Sequence, residues 1–167
     1  MWRLSWLRLR EDNKRKDLLN AKFFFELVGA ASVAFGPKFG EATEGICTFG
    51  HWTPKGPWPG AKEFFDNYMA KFKSKPDYLT SIHAYLSAQI LEQAVEQAGT
   101  LNWEKVRDVI AGNEFSTING PIRFTGSENL RTPCMILQYQ RGEMEIVWPP
   151  ETATAKPLYP KPPWPKK

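Results

Sequence analysis

The chain has 167 residues, of which 42% are hydrophobic, with 22 basic and 18 acidic side chains and two cysteines. A chain of this length is one domain by default, and about 70% of its unfolded surface can be buried. Its seven Trp, five Tyr and eleven Phe exclude a disordered chain, and two cysteines exclude a disulfide-built scaffold. No apolar run is long enough for a transmembrane helix, and a net charge of +4 is typical of a solvated surface rather than of nucleic-acid binding.

The first segment, residues 1–19, mixes charged and apolar residues. Three arginines within its first ten residues interrupt the hydrophobic stretch that an export signal needs, and no small-residue cleavage site follows. Trp2, Trp6 and Leu9 share one helical face, so an amphipathic targeting helix is the alternative. We predict a surface helix over residues 1–19 and expect the chain to be cytoplasmic if it is expressed as written.

Two apolar runs, residues 23–28 and 46–52, are typical of buried strands. Between them, Gly36 and Pro37 predict the start of a short helix, since proline is tolerated at the first helical position, and Gly45 is predicted to end it. Strand, helix and strand fit into about thirty residues, which is the size of a βαβ unit with a parallel strand pair.

A loop or hinge is predicted for residues 53–60, which hold three prolines and two glycines. Three helices follow, because apolar residues recur there at the helical period. Pro76 is predicted to end the first helix, Gly99 the second, and Asn102 to cap the third. The predicted apolar stripes consist of Phe64, Phe65, Tyr68, Met69, Phe72, Ile82, Leu86, Ile90, Ala94, Val106, Val109 and Ile110. We expect them to lie against a sheet that this chain does not carry.

The end of the chain is predicted to be β structure. Residues 120–124 form a short strand, and residues 134–140 and 143–148 flank Arg141 and Gly142, the best hairpin signal in the sequence. The tail that follows holds seven of the 14 prolines, which predicts an extended segment tending to polyproline II.

Residues that would carry chemistry are sparse. The sequence has no phosphate-binding glycine loop, no Cys-x-x-Cys pair, no His-Glu-x-x-His and no Gly-x-Ser-x-Gly. His51 and His83 are 32 residues apart. Cys47 lies on the same predicted strand as His51 but about 13 Å away, too far for a thiolate–imidazole pair. We therefore expect no enzyme, no metal and no cofactor.

Several segments in a distinctive order carry a resemblance to a known family. They are residues 45–54, 75–78, 84–94, 103–110, 115–124 and 147–151. In this order they resemble the C-terminal portion of the solute-binding proteins of ABC importers, of the branched-chain amino-acid (Leu/Ile/Val) type, over about residues 20–165. The resemblance implies an α/β class and a partial type I periplasmic-binding-protein-like fold: parts of two lobes in three α/β/α layers, with a C-terminal β-hairpin and a Pro-rich tail.

The resemblance also implies a division of the chain. Such proteins trap solute between two lobes that close about a hinge. The resemblance implies a partial periplasmic-binding-like domain over residues 20–148, followed by the tail at 149–167. Within the domain it assigns 20–52 to the second lobe, 53–60 to the hinge, 61–125 to first-lobe helices and a strand, and 134–148 to a return hairpin. The implied partners are a small-molecule solute, an ABC permease of the full-length protein and a missing N-terminal lobe. The implied location of the full-length protein is the periplasm, or an extracytoplasmic lipoprotein.

Three places are predicted to contact solute, because the cleft lies at the carboxyl ends of the strands. The first is a loop of small residues after the first strand, the second is the end of the next strand, and the third is a helix N-terminus whose N–H groups suit a carboxylate. The residues are Val28, Gly29, Ala30, Ala31, Trp52, Tyr78, Thr80 and Ser81. Each has a structural alternative: a turn glycine, a core tryptophan or a tyrosine that staples the helix.

The class of solute stays open. In amino-acid-binding members of the family, an acid near the first loop pairs with the ligand's ammonium group, whereas the nearest acid here, Glu26, lies two residues before Val28 inside the predicted strand. We therefore expect an aromatic acid, an amide or another small polar solute on equal terms with an amino acid. Two other functions also stay open: a ligand-sensing receptor or regulator of the same fold, and a protein-interaction module that uses the Pro-rich tail.

Overall fold

The computed structural model describes residues 21–78, 80–132 and 134–165, and the helix predicted over residues 1–19 lies outside them. The regular elements in chain order are β1 (Phe24–Phe25), α1 (Val28–Ala31), α2 (Phe35–Phe39), a 3-10 helix (Gly40–Thr43), β2 (Ile46–Gly50), α3 (Ala61–Phe72), α4 (Thr80–Ala98), α5 (Trp103–Gly112), β3 (Glu114–Thr117), β4 (Gly120–Thr125), β5 (Glu128–Asn129), β6 (Met135–Gln140), β7 (Glu143–Trp148) and a 3-10 helix (Pro150–Thr152).

These elements fall into two compact units. The sheet unit consists of the described residues up to Gly50 and from Met135 onward, and the helical unit is His51–Cys134. The chain therefore leaves the sheet unit after Gly50 and re-enters it at Met135. The mixed α/β composition confirms the predicted class.

The sheet unit is built on a four-stranded sheet in the order β1-β2-β6-β7. β1 and β2 are parallel, which confirms the predicted parallel pair, and β6 runs antiparallel to both β2 and β7. Arg141 and Gly142 have positive φ angles of 55° and 80°, the conformation of a two-residue hairpin turn. The hairpin is therefore where the sequence predicts it.

Three local predictions in the sheet unit are wrong. The strand predicted over residues 23–28 has only two residues, and Val28–Ala31 is a helical turn rather than a loop. Pairing with β2 continues for one more bond, from the Glu26 N–H to the Cys47 carbonyl at 2.9 Å, and the next residue, Leu27, is 61% exposed. Pro37 is the third residue of α2 rather than the first. It still lies in the first turn, where its missing N–H costs no helical hydrogen bond.

The Pro-rich tail is bound to the sheet by buried amide side chains. Gln138 on β6 donates to the carbonyl oxygens of Gly45 and Leu158, each at 3.1 Å, and its own oxygen accepts from the Leu158 N–H at 2.7 Å. The Gln140 amide donates to the Lys156 carbonyl at 2.8 Å. In its described part the tail forms neither helix nor strand after the 3-10 turn. Besides the two glutamines, backbone bonds hold it: the Thr154 N–H donates to the Ile146 carbonyl at 2.8 Å and the Lys161 N–H to the Lys22 carbonyl at 2.7 Å.

The helical unit packs α4 and α5 on the antiparallel sheet β3-β4-β5. Its core consists of Ala94, Val106 and Phe115, with Ile90, Val95, Ala98, Val109 and Ile110 packed around them. The stripes of α4 and α5 therefore lie against strand β3 of this same chain, and the expectation that they need another sheet is wrong. The stripe of α3 is less covered, since Phe72 is 54% exposed.

Helix ends in this unit follow local sequence signals in two of three cases. The Asn102 side chain accepts from the Lys105 N–H at 3.1 Å, so it caps α5 as predicted. Gly99 follows α4 with a φ of +61°, as predicted for a C-terminal glycine. Helix α3 ends at Phe72 with Lys73 in the left-handed conformation, so Pro76 does not end it.

Candidate functional site

The first group of predicted site residues, Val28–Ala31, is a short helical turn of the sheet unit. Ala30 and Ala31 are fully buried, and the Ala30 carbonyl accepts a hydrogen bond from the Tyr139 hydroxyl at 2.9 Å. Val28 is 37% exposed and Gly29 is partly exposed. Of these four residues, Val28 and Gly29 alone present atoms that a solute could reach, and the two alanines serve packing.

An acidic side chain lies next to this turn. A Cβ atom on Gly29 would stand 3.0 Å from Oε1 of Glu26, so the glycine leaves the space into which the carboxylate folds back. The Glu26 N–H continues the sheet pairing by donating to the Cys47 carbonyl at 2.9 Å. Glu26 therefore follows the strand directly and its carboxylate stands at the turn, where an ammonium group could meet it.

The second group lies in the helical unit around a buried tryptophan. Trp52 has 0% exposure and packs edge-to-face on Tyr78 and Phe64, with ring centroids at 5.6 and 5.5 Å. Phe64 in turn packs on the half-exposed Tyr85 at 4.4 Å. Such rings hold one another in fixed orientations and contribute about 0.5–1.5 kcal/mol per pair beyond their burial. Trp52 and Tyr78 are thus core residues of this aromatic cluster.

The N-terminus of α4 is occupied by a carboxylate of the chain itself. Asp77 Oδ1 accepts from the Thr80 N–H at 2.8 Å and from the Thr80 hydroxyl at 3.2 Å. A solute carboxylate predicted to bind at this helix end would have to compete with Asp77, since both would use the same donor. Thr80 is exposed and Ser81 is partly exposed, so their side chains remain accessible.

Two buried polar side chains of the helical unit have atoms without a hydrogen-bond partner among the described residues. They are the indole Nε1 of Trp52 and both amide atoms of Asn119, a residue with 0% exposure in the turn between β3 and β4. Leaving such a group unpaired costs roughly 1–3 kcal/mol. Sequence reasoning did not single out Asn119, because a polar residue in a turn is normally expected at the surface.

The two histidines, distant in sequence, meet in the helical unit. The rings of His51 and His83 are 5.1 Å apart between centroids. Burial, and secondarily the charge of His83, lowers the pKa of His51 below its usual range. Sequence spacing alone gives no signal for this contact, because it depends on how α4 lies beside the loop after β2.

Other titratable groups give little sign of a reactive centre. Burial raises the pKa of the Cys47 thiol, with a smaller opposing effect from Gln138, which makes this thiol a weaker nucleophile. Among the described residues, no cluster of three or more His, Cys, Asp or Glu side chains could hold a metal ion. No helix in the described part of the chain has the length and apolarity to cross a bilayer.

Residues 25–143 match the periplasmic binding protein family, and the chain belongs to that family. Solved structures agree. The leucine binding protein LivK of Thermotoga maritima shares 24% identity over 74% of this chain and 36% of its own, with a TM-score of 0.60. The ABC transporter substrate-binding protein of Sphaerobacter thermophilus shares 14% identity over 92% of this chain and 41% of its own, with a TM-score of 0.66.

A third structure carries a ligand in its description. It is an ABC transporter solute binding protein from Rhodopseudomonas palustris in complex with benzoate, 17% identical over 74% of this chain and 34% of its own, with a TM-score of 0.58. At these identities the structures establish the fold. The chain spans only about two fifths of the length of these proteins, which confirms that its fold is a part of theirs.

Proposed function

We propose that this chain is a fragment of a solute-binding protein of an ABC importer, and that its role is to bind a small organic solute rather than to catalyse a reaction. The observation that carries the proposal is the family match over residues 25–143. Because the chain spans about two fifths of the relatives' length, we further propose that an N-terminal lobe outside this sequence supplies the rest of the cleft. An ABC permease and the periplasm are then the partner and location of the whole protein.

The division into lobes is part of the same proposal. We assign residues 20–52 and the return hairpin at 134–148 to the second lobe, residues 61–125 to the first lobe, and 53–60 to the hinge. The division of the described residues into a sheet unit and a helical unit, at Gly50 and Met135, is compatible with this assignment.

The accessible part of the predicted site suits a small polar solute. Val28 and Gly29 expose a turn of small side chains beside the Glu26 carboxylate. An acid at this turn favours a solute that carries an amine, and leucine, for which one relative is named, is such a solute. A benzoate-binding relative shows that the fold also accepts an aromatic acid. Amino acids, amides and aromatic acids are therefore the classes to test.

Titration of the chain with leucine, leucinamide and benzoate, followed by backbone amide NMR shifts, tests the proposal. We expect millimolar affinities, since a closing cleft derives its affinity from contacts on both sides and this chain supplies part of them. Shifts should concentrate at Val28, Gly29 and the residues that follow Tyr78. Absence of shifts with all three solutes would contradict a binding role for this chain.

Two variants locate the binding. Gly29→Ala should displace the Glu26 carboxylate and weaken binding about tenfold, the loss expected for one hydrogen bond to a charged group. Gly112→Ala is the matched control, because a Cβ there meets nothing within 4 Å. Equal affinities of the two variants would place binding elsewhere in the chain.

The interaction-module alternative has less support. The tail backbone at Lys156 and Leu158 is hydrogen-bonded to Gln140 and Gln138, and the Lys161 ammonium lies 3.7 Å from the centre of the Trp164 ring. A tail held in this way cannot enter a partner's groove without first breaking those bonds. A receptor or regulator of the same fold remains the second candidate, and neighbouring permease and ATPase genes would favour transport over it.

A further inference from the structure

Helix α3 carries a row of aromatic rings along one side. Phe64, Tyr68 and Phe72 recur every four residues, and neighbouring ring centroids are 5.8 and 4.5 Å apart. Residues at this spacing form a continuous ridge on a helix surface. Phe64 and Tyr68 are half-buried, whereas Phe72 is 54% exposed, so the ridge emerges toward the end of the helix. Contiguous exposed apolar side chains rimmed by polar residues mark sites of protein contact.

The rings of the ridge are ordered by contacts within the helical unit. Phe64 packs on the buried Trp52 at 5.5 Å and on Tyr85 of α4 at 4.4 Å, and Tyr85 is itself 41% exposed. The Lys71 ammonium lies 5.4 Å from the centre of the Phe72 ring. Side chains that are already ordered lose less conformational entropy on association. The ridge is therefore preorganised for a partner.

A row of polar side chains runs beside the rings, one residue earlier at each step. It consists of Glu63, Asn67 and Lys71, all of them exposed. The acid lies at the N-terminal end of α3, the amide in the middle and the base at the C-terminal end. No described residue forms an ion pair with Glu63 or Lys71. The order of the charges reverses when the helix is turned end over end, so the row is complementary to itself.

We propose that α3 is a self-association surface, on which two copies of this chain pack their α3 helices antiparallel about a two-fold axis near Tyr68. Tyr68 then meets its own counterpart, and Phe64 of one copy lies against Phe72 of the other. On the flank, Glu63 of each copy faces Lys71 of the other. A two-fold interface requires a self-complementary patch of this kind.

The charges select this occupant over others. A parallel pair of helices would place the two Lys71 ammonium groups together, and like charges oppose association. A partner of uniform charge would be attracted by one end of the polar row and repelled by the other. The antiparallel pair satisfies both ends, and it also opposes the two helix dipoles favourably. The proposal rests on α3 and its neighbours alone and does not depend on the proposed function.

The size of the surface sets the expected affinity. An aromatic side chain buries about 150–250 Å², so three rings per copy with a charged flank fall at the low end of protein interfaces. We therefore expect a weak dimer with a dissociation constant of about 0.1 mM.

Sedimentation velocity of the full chain, at concentrations from about 10 µM to about 1 mM, tests the proposal. We expect the weight-average mass to rise from one chain toward two, and to rise less in about 0.5 M salt, because salt screens the flanking ion pairs. A mass that stays at one chain throughout would overturn the proposal and leave the ridge to a segment outside this sequence. Growth beyond two chains would also contradict it, since a two-fold interface closes.

Charge-reversal variants identify the surface. Glu63→Lys and Lys71→Glu should each weaken association at least about tenfold, because each places like charges at both ends of the row. An equimolar mixture of the two variants should regain the parent affinity, since every charge then faces its opposite, and this recovery would also show that neither change unfolds α3. Lys105→Glu, at an exposed position of α5, is the control and should associate like the parent chain. A mixture that associates no better than either variant alone would rule out the antiparallel arrangement.

Discussion

The two units differ in whether their buried polar side chains are hydrogen-bonded. In the sheet unit, the buried side chains of Thr43, Thr48, Gln138 and Gln140 all make hydrogen bonds. In the helical unit, Trp52 and Asn119 keep buried atoms unpaired among the described residues. The comparison teaches that the sheet unit pairs its buried amides with the tail and the turn before β2, whereas the amide side chains of Gln89 and Gln93 in the helical unit bond to strand β3 and its turn in partly exposed places.

The largest effect should come from the packed core of the helical unit. Phe115→Ala removes a side chain with 0% exposure from the centre of the α4–α5–β3 contact and should cost about 3–5 kcal/mol in the free energy of unfolding. Urea unfolding, followed by the helical circular dichroism signal, measures it. Phe72→Ala, at a largely exposed ring, is the control and should cost less than about 1 kcal/mol. Similar losses for the two variants would contradict the assigned core.

The amide network of the sheet unit should give the next largest effect. Gln138→Leu leaves the N–H of Leu158 and the carbonyl of Gly45 without their partner, at a cost of about 3 kcal/mol. Gln93→Leu is the matched change in the helical unit. The Gln93 side chain also hydrogen-bonds to backbone, to the N–H and carbonyl of Ser116, but in an exposed place where water can replace it. We therefore expect this change to cost about 1 kcal/mol in the free energy of unfolding. Equal costs would remove the contrast between the units.

Two glycine substitutions measure how closely the tail packs against Gly45. Gly45→Ala would place a Cβ 2.8 Å from Pro162 and 2.9 Å from the Lys161 side chain, at a residue with a φ of +77°. Strain and clash together should cost about 2 kcal/mol and expose the tail to proteolysis. Gly99→Ala has a similar φ but nothing within 4 Å, so about 1 kcal/mol is expected. Protection of the tail in Gly45→Ala would contradict the observed contact.

The smallest effect is chemical and leaves the fold intact. Cys134 is exposed, whereas Cys47 is buried with a raised pKa, so a thiol reagent should modify Cys134 first and Cys47 only after unfolding. Mass spectrometry of peptides after brief alkylation at neutral pH distinguishes the two sites. Modification of both cysteines at one rate would mean that the sheet unit opens readily.

Local signals in the sequence predict a good part of this fold. The hairpin at Arg141 and Gly142, the Asn102 cap and the Gly99 terminus are all fixed by residues within a few positions of one another, so the chain's chemistry specifies them directly. The strand prediction for residues 23–28 is wrong because an apolar run alone does not decide strand length. The strand ends where sheet neighbours end, and the next turn becomes helical.

Features that depend on distant contacts are not predictable in this way. Strand β3 has only four residues with alternating burial, and it becomes a strand because β4 pairs with it and α4 and α5 cover it. The same reason hides the contact between His51 and His83, which depends on how α4 lies beside the loop after β2. The structure leaves four of the predicted site residues reachable, namely Val28, Gly29, Thr80 and Ser81. Trp52 could be judged buried only once Phe64 and Tyr78 were placed around it.

The path of the chain through β2 and β6 has a consequence for the order in which the protein can form during synthesis. These neighbouring strands pair Cys47 with Gln138, and every residue of the helical unit is synthesised between them. The helical unit has its whole sequence as soon as Cys134 leaves the ribosome, whereas β1 and β2 must wait for the last segment of the chain. A translational pause once Cys134 has left the ribosome would therefore find one unit able to fold and the other still awaiting half of its sheet.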